Sequence, residues 1–281
     1  MKSNAILRIV LHSIAITLLV TALCGALIGC NITIDTGFEG TQNLGNGSVV
    51  AADIKNINIE WISGKIKVQT ADTTQITFSE SSDYEKAKPM QWKQKGDTLV
   101  IMFDKENQFN FGIGLGSAVS WDKDLTVTVP TNWNMGEIEI ESVSAELTMD
   151  SIQASELSIE TVSGKTNVTN CLIDNISLNT VSGHGNISAD FRELDIEAVS
   201  ANCRVYSMGN PQSIELNGVS GNLELYLLEE VGFTYESDSL SGSFSCSFPT
   251  TSNGDKQVYS NGSCRIESEC ISGTIKILKA E

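Results

Sequence analysis

A short block of alternating apolar and polar residues returns along most of the chain. It occurs as TVSGKTNV at Thr161 and as TVSGHGNI at Thr180, and an early copy, WISGKIKV, begins at Trp61. Seven later copies are centred on serines spaced by 19, 19, 18, 20, 21 and 31 residues: Ser144, Ser163, Ser182, Ser200, Ser220, Ser241 and Ser272. A near-constant period of about 20 residues is typical of a repeat protein whose units stack on one another.

Aligning the copies on the serine separates inward from outward positions. The residues six and four before it, and three and five after it, are mostly Ile, Leu or Val, as at Ile159 and Val168. Steps of two indicate strands with one buried face. The residue directly before the serine is also apolar, as at Val162, so the chain is expected to bulge there and keep it inside. The small residue after the serine, Gly164 or Ala145 for example, suits a tight corner.

Each repeat is therefore predicted to be two short strands and a corner, stacked into a parallel β-solenoid (β-helix) of the all-β class with coils of about 20 residues. The serine column is predicted to form an internal ladder of hydroxyl groups. Residues 131–281 contain the repeats. Residues 49–130 are predicted to form a first coil and a less regular β cap, because a solenoid end exposes unpaired edges. One continuous domain would then span 49–281.

The N-terminus has the features of an export signal. Residues 1–29 contain Lys2 and Arg8, followed by a long uncharged apolar run. Leu-Ile-Gly-Cys at its end resembles a bacterial lipobox, which predicts lipidation of Cys30. An uncleaved membrane span, which the length allows, and an ordinary cleaved signal remain alternatives. The glycine-rich residues 31–48 are expected to be a flexible tether. The domain is predicted to be extracytoplasmic, anchored to the outer face of the bacterial cytoplasmic membrane.

Composition narrows the possible functions. The chain has 18 Lys and Arg against 35 Asp and Glu, a net charge of −17, which argues against binding nucleic acid or anionic lipid headgroups through charge. It has two histidines, His12 in the signal and His184 beside a predicted corner. A multi-histidine metal site is excluded, and a catalytic triad would depend on His184 alone, which is expected to be a surface residue. We expect no cofactor and no metal.

Five cysteines follow Cys30: Cys171, Cys203, Cys246, Cys264 and Cys270. Cys203 and Cys246 lie on inward columns in coils predicted to be two apart, about 10 Å, which exceeds the reach of a disulfide. They are interpreted as small core residues. A bridge between Cys264 and Cys270 remains open. The glycine-rich segment 112–116 lacks the following helix that a phosphate loop needs and is expected to be a flexible apolar loop.

The repeated I-x-I-x-x-V-S-G blocks, the LTVTVP run at 125–130 and the lipobox-like N-terminus resemble a bacterial envelope family. This is the family of candidate adhesin domains of unknown function that includes the LiaG-like proteins, and the resemblance covers about residues 49–278. It implies a parallel β-helix-like domain on the outer face of the membrane, often in proteins linked to envelope stress. It supplies no catalytic residues.

We therefore expect a non-enzymatic envelope module, adhesin-like or accessory to envelope stress, that presents a β-solenoid surface to a protein or glycan partner. The alternative is a carbohydrate-active β-helix enzyme, a lyase or hydrolase. That enzyme would need two or more carboxylates within about 10 Å of each other. Acids such as Asp150, Asp174, Asp190 and Asp195 are scattered along the sequence, so no such cluster is expected.

Overall fold

The computed structural model describes residues 43–84, 87–103, 122–131, 133 and 135–280. Apart from one 3-10 turn (Ala51–Asp53), its regular elements are strands, which confirms the all-β prediction. The strands are β1 (Asn43–Leu44), β2 (Gly47–Val50), β3 (Asn56–Trp61), β4 (Gly64–Ala71), β5 (Gln75–Ser82), β6 (Gln91–Lys95), β7 (Thr98–Met102), β8 (Lys123–Pro130), β9 (Met135–Ser142), β10 (Glu146–Asp150), β11 (Gln153–Ser207), β12 (Ser213–Leu227), β13 (Phe233–Ser239), β14 (Ser243–Cys246), β15 (Thr251–Asn253), β16 (Lys256–Tyr259), β17 (Cys264–Cys270) and β18 (Thr274–Lys279).

Strands of successive repeats pair in parallel and in register. Ile138 of β9 pairs with Leu157 of β11, and Ser200 of β11 pairs with Ser220 of β12. The long β11 continues through several corners, so its 55 residues contribute to more than one repeat. Because equal positions pair, each alignment column becomes a row of neighbouring residues about 4.8 Å apart.

The core is built from the predicted columns. Residues six and four before the serine and three and five after it are buried in the middle repeats, for example Ile159, Val168 and Ile187. The predicted bulge is misplaced, however. In the middle repeats the alternation continues one step further, to Ser142, Thr161, Thr180 and Ala198, which are buried. The residue after Thr161, Val162, is half-buried on the outside with the serine, because the corner itself bends outward.

The last two repeats exchange places in space. Strands β17 and β18 lie between β12 on one side and β13 and β14 on the other. The repeat that comes last in the chain is therefore second from the end. A similar exchange occurs at the other end, where β3 and β4 lie between β7 and β8 on one side and β9 and β10 on the other.

Aromatic residues close both ends. Phe233 packs on Phe248 and Tyr259 with ring centroids 5.2 and 5.5 Å apart. At the opposite end Trp61 packs edge-on against Phe103 at 5.0 Å. The repeat at 233–246 is rich in such bulky residues, whereas the repeat at 264–279 has Ile and Cys at its inward positions. Large rings can cover an open core, so the aromatic repeat takes the terminal place.

The predicted tether ends earlier than expected. Residues 43–48 are not a tether, because β1 pairs with β6 and β2 pairs with β5. Gly47 is required there by packing, since a Cβ on it would lie 2.6 Å from ring atoms of Phe78 and Trp92. The predicted signal, Cys30 and residues 31–42 lie outside the described residues. Within the described residues, no helix has the length and apolar character needed to cross a membrane.

Candidate functional site

The outward residues of each repeat's first strand are largely acidic, and we call this surface the acidic flank. Their neighbours along the strand point inward and are mostly Ile or Leu, so the carboxylates lie on the outer side of the sheet, where most of them are half-buried. The flank comprises Glu60, Glu137, Glu139, Glu141, Glu156, Glu160, Glu193, Asp195, Glu197, Glu215, Glu236, Asp238, Glu267 and Glu269.

Parallel register places these carboxylates side by side. Glu141 pairs with Glu60 on one neighbouring strand and with Glu160 on the other. Asp195 and Glu215 are paired in the same way. Paired residues in adjacent strands are about 4.8 Å apart. The expectation that the acids are scattered is therefore wrong, because residues some 20 positions apart in sequence become neighbours in the stack.

Crowding changes the protonation of this flank. Burial, and after it the charge of Glu60, raises the pKa of the Glu141 carboxyl to about 7. Glu139 and Glu160 act on the Glu141 pKa in the same direction. The pKa values of Glu137 and Glu160 are also raised, in both cases first by burial and then by neighbouring glutamates. With a pKa of about 7, Glu141 exchanges its proton near neutral pH beside ionised neighbours, and the negative field of the flank attracts cations.

A shallow depression lies on the acidic flank. It is lined by four acids and several small polar side chains: Glu156, Asn175, Ser177, Glu193, Asp195, Ser213 and Glu215. Its apolar floor is formed by Ile176 and Leu194, which belong to the core. The arrangement offers many hydrogen-bond acceptors on a stiff base. Among the described residues, no group of three or more His, Cys, Asp or Glu is arranged to hold a metal ion.

The opposite flank is formed by the second strand of each repeat, and it carries acidic and basic side chains that pair with one another. Arg204 and Lys276 both pair with Glu224, at 2.9 and 3.0 Å. These hydrogen bonds hold the pKa of Glu224 below its usual range. Tyr206 and Tyr226 stack with centroids 4.2 Å apart. On the acidic flank Lys256 pairs with Glu236 and Arg265 with Glu267, but acids outnumber these bases, so the acidic flank has more to offer a positively charged partner.

The comparison with known families decides the kinship of the chain. The family model Toastrack DUF4097 matches residues 54–208, more than half of the sequence. The chain belongs to this Toastrack family. The resemblance inferred from the repeated blocks is thereby confirmed. A search of curated proteins finds no match.

Solved structures similar to this Toastrack chain come from bacteria of several genera. A candidate cell adhesion protein from Clostridium sporogenes shares 11% identity, covering 85% of this chain and 100% of its own, at a TM-score of 0.38. A candidate adhesin from Bacteroides fragilis shares 14% identity, covering 85% of this chain and 98% of its own, at a TM-score of 0.34. A candidate lipid-binding protein from Parabacteroides distasonis shares 12% identity, covering 86% of this chain and 98% of its own, at a TM-score of 0.41.

The serine column of the Toastrack chain lies on the outside, so the predicted internal hydroxyl ladder is wrong. Ser144, Ser182, Ser200 and Ser241 are exposed, and Ser163, Ser220 and Ser272 are half-buried. Four of these hydroxyls donate to main-chain carbonyls of a neighbouring repeat, as from Ser163 to Val143 at 3.4 Å and from Ser241 to Ile271 at 3.0 Å.

The internal hydroxyls come from the column two positions before the serine. Ser142 donates to Thr161 at 3.0 Å, and both are buried. Sequence reasoning missed this column because its members differ in kind, from Trp61 through Thr180 to Cys270. The continued period of two was the signal that could have identified it.

The five cysteines among the described residues are free; four are buried, and Cys246 is half-buried. Cys203 and Cys246 lie three repeats apart, not two, because the last repeat is inserted between them. The bridge left open between Cys264 and Cys270 does not form, since both lie on β17 with five residues of extended strand between them. Burial raises the pKa of Cys264 to about 12. His184 is exposed, as predicted, and the segment 112–116 lies outside the described residues.

Proposed function

We propose that the chain is a non-enzymatic binding module of the bacterial envelope, held outside the cytoplasmic membrane by a lipid on Cys30 or by an N-terminal span. In this proposal the repeats form a parallel β-solenoid that displays the acidic flank as a stiff, flat surface. The in-register parallel pairs support the architecture. The observation that carries the function is the row of adjacent carboxylates on that flank.

The partner that fits this flank carries positive charge. Burying Glu141 beside Glu60 and Glu160 costs free energy, as the pKa of Glu141, raised first by burial and then by these neighbours, indicates. A partner that places lysine, arginine or amino groups against them relieves that cost on binding. A basic envelope protein or an amine-bearing glycan meets this requirement. Nucleic acid and other polyanions are repelled by the same charges.

The test is capture of a partner from isolated envelope by crosslinking to the intact protein. A variant with Glu139, Glu141 and Glu160 each replaced by Gln should lose capture, and raised salt should weaken capture by the wild type. The matched control replaces three acids away from the flank, Asp72, Glu146 and Asp174, by their amides and should bind like the wild type. Equal capture by both variants would contradict a role for the flank.

A carbohydrate-active enzyme remains the second candidate, because Glu141 with a pKa of about 7 beside an acid neighbour resembles an acid and base pair. Retaining glycosidases hold two carboxyl groups about 5–5.5 Å apart across the bond they cleave. Here the carboxylates stand side by side along a ladder, and neither faces the other across a cleft. Sugar release from envelope glycans that disappears in Glu141→Gln would favour the enzyme and refute the binding module.

A further inference from the structure

The ends of the strand stack differ in how their edges are covered. Four strands terminate the stack: β7 and β8 at one end, and β13 and β14 at the other. An antiparallel strand covers three of them, since β6 pairs with β7, β5 with β8 and β16 with β13. The fourth, β14, pairs with β18 on its inner side, and no described strand pairs with its outer side.

The outer side of β14 has main-chain groups to offer. The amides of Ser243 and Ser247 donate inward, to Gly273 and Ile277 at 2.8 and 2.9 Å. Successive residues of a strand direct these groups to opposite sides. The amide and carbonyl groups of Phe244 and Cys246 therefore point away from β18, where a further strand could bind them.

The side chains at this edge are apolar and exposed. Leu240 is 61% exposed and Phe244 is 37% exposed, whereas Leu223, in the same column as Phe244, is 7% exposed. Phe244 stacks with Tyr235 at a centroid distance of 4.0 Å, which continues the core to the edge of the molecule. Exposed apolar side chains beside an open strand mark a docking site.

The absence of charged residues at this edge indicates which partner can bind there. Residues 239–254 contain no Asp, Glu, Lys, Arg or His, in a chain with a net charge of −17. Open edges are usually protected by charged residues, above all lysine, and β14 has none. Two acidic copies repel one another through their flanks, but they can meet at this uncharged edge. A twofold axis would also pair β14 with its own copy antiparallel, as in the three covered edges.

We infer that β14 is a homodimer interface, in which two copies pair their β14 strands antiparallel and bury Leu240 and Phe244 together. Each copy then supplies the cover strand that the other lacks. The interface is small, so dimerisation should depend on concentration.

The experiment measures the mass of the full chain in detergent by sedimentation velocity over a range of concentrations. The wild type should shift from monomer to dimer, and Phe244→Glu should weaken the dimer at least about tenfold, because two carboxylates would meet at the twofold axis. The matched control is Leu172→Glu, which places the same charge at an exposed leucine in the middle of the stack and should behave like the wild type. A monomeric wild type, or equal dimerisation by Phe244→Glu, would overturn the inference.

A second measurement does not depend on the folding of Phe244→Glu. Ser245 is exposed on β14, so Ser245→Cys should form a disulfide-linked dimer under mild oxidation, faster than the same substitution at Asn186, the equivalent position in the middle of the stack. Equal rates at the two positions would contradict pairing at this edge.

Discussion

Lys123 is the most deeply buried charge of the N-terminal end, and its replacement tests how this end is held together. Its side chain is 2% exposed. The ammonium group donates to Glu80 at 2.7 Å and to the carbonyls of Lys88 and Phe103 at 2.9 and 2.6 Å. Its nitrogen also lies 4.4 Å from the ring centroid of Phe103. All three donor positions are therefore satisfied.

Lys123→Met should keep the packing of the stem and remove the charge. The carboxylate of Glu80, whose side chain is 13% exposed, then remains buried without its cation. Breaking a buried pair from one side costs about 3–5 kcal/mol. For a domain of this size, 1 kcal/mol changes the melting temperature by about 2–4 °C, so we expect a decrease of about 6–20 °C.

The assay is urea unfolding followed by the fluorescence of tryptophan, since Trp61 is buried and donates to the carbonyl of Lys123. Adding Glu80→Gln removes the unpaired charge and keeps an acceptor for the Met90 amide, which now donates to Glu80 at 2.6 Å. The double variant should thus be less destabilised than the two single changes together. The control, Lys67→Met, changes an exposed lysine on the neighbouring β4. A cost below about 1 kcal/mol for Lys123→Met, or strict additivity, would refute this account.

Four further outcomes are expected. Ser182→Leu, at an exposed corner, should change the free energy of unfolding by less than about 0.5 kcal/mol. Thr180→Leu should instead lower the free energy of unfolding by about 1–3 kcal/mol, because the larger side chain overpacks the core. Equal effects of the two substitutions in urea unfolding would mean that the corner is oriented differently. Glu141 has a pKa of about 7 in the folded state against 4.5 as its model value, so the folded state binds more protons between these limits and stability should fall as pH rises through this range. Melting temperatures at pH 5 and pH 8 should therefore differ less in Glu141→Gln than in the wild type. The thiols of Cys203 and Cys264, with pKa values raised to about 11 and about 12 by burial, should resist a thiol reagent at pH 8 until urea is added; rapid labelling of the native protein would contradict their burial. A clickable fatty acid should label the wild type but not Cys30→Ala, and a labelled variant would exclude lipidation at this cysteine.

The inward face of the strands could be predicted from the sequence because it depends on local alternation. A strand turns every second side chain to the same face, so Ile, Leu and Val at steps of two identify the core without knowledge of the neighbouring strands. The strands of the cap were predictable for the same reason, and QITFSES and DTLVIMF lie in β5 and β7 with little change. The corner was misplaced by one residue, since Val162 is apolar but faces outward.

The tertiary structure decided which strands are neighbours. Nothing local in Cys264–Cys270 indicates that this strand lies between β12 and β13, because the choice depends on which repeat can close the open end with aromatic rings. The acidic flank has the same origin. Glu60 and Glu141 are 81 positions apart in sequence, and only parallel register across β3 and β9 makes their charges neighbours, which adds to the effect of burial in raising the pKa of Glu141. Alternation fixes the face of a side chain, whereas its neighbours depend on contacts between distant parts of the chain.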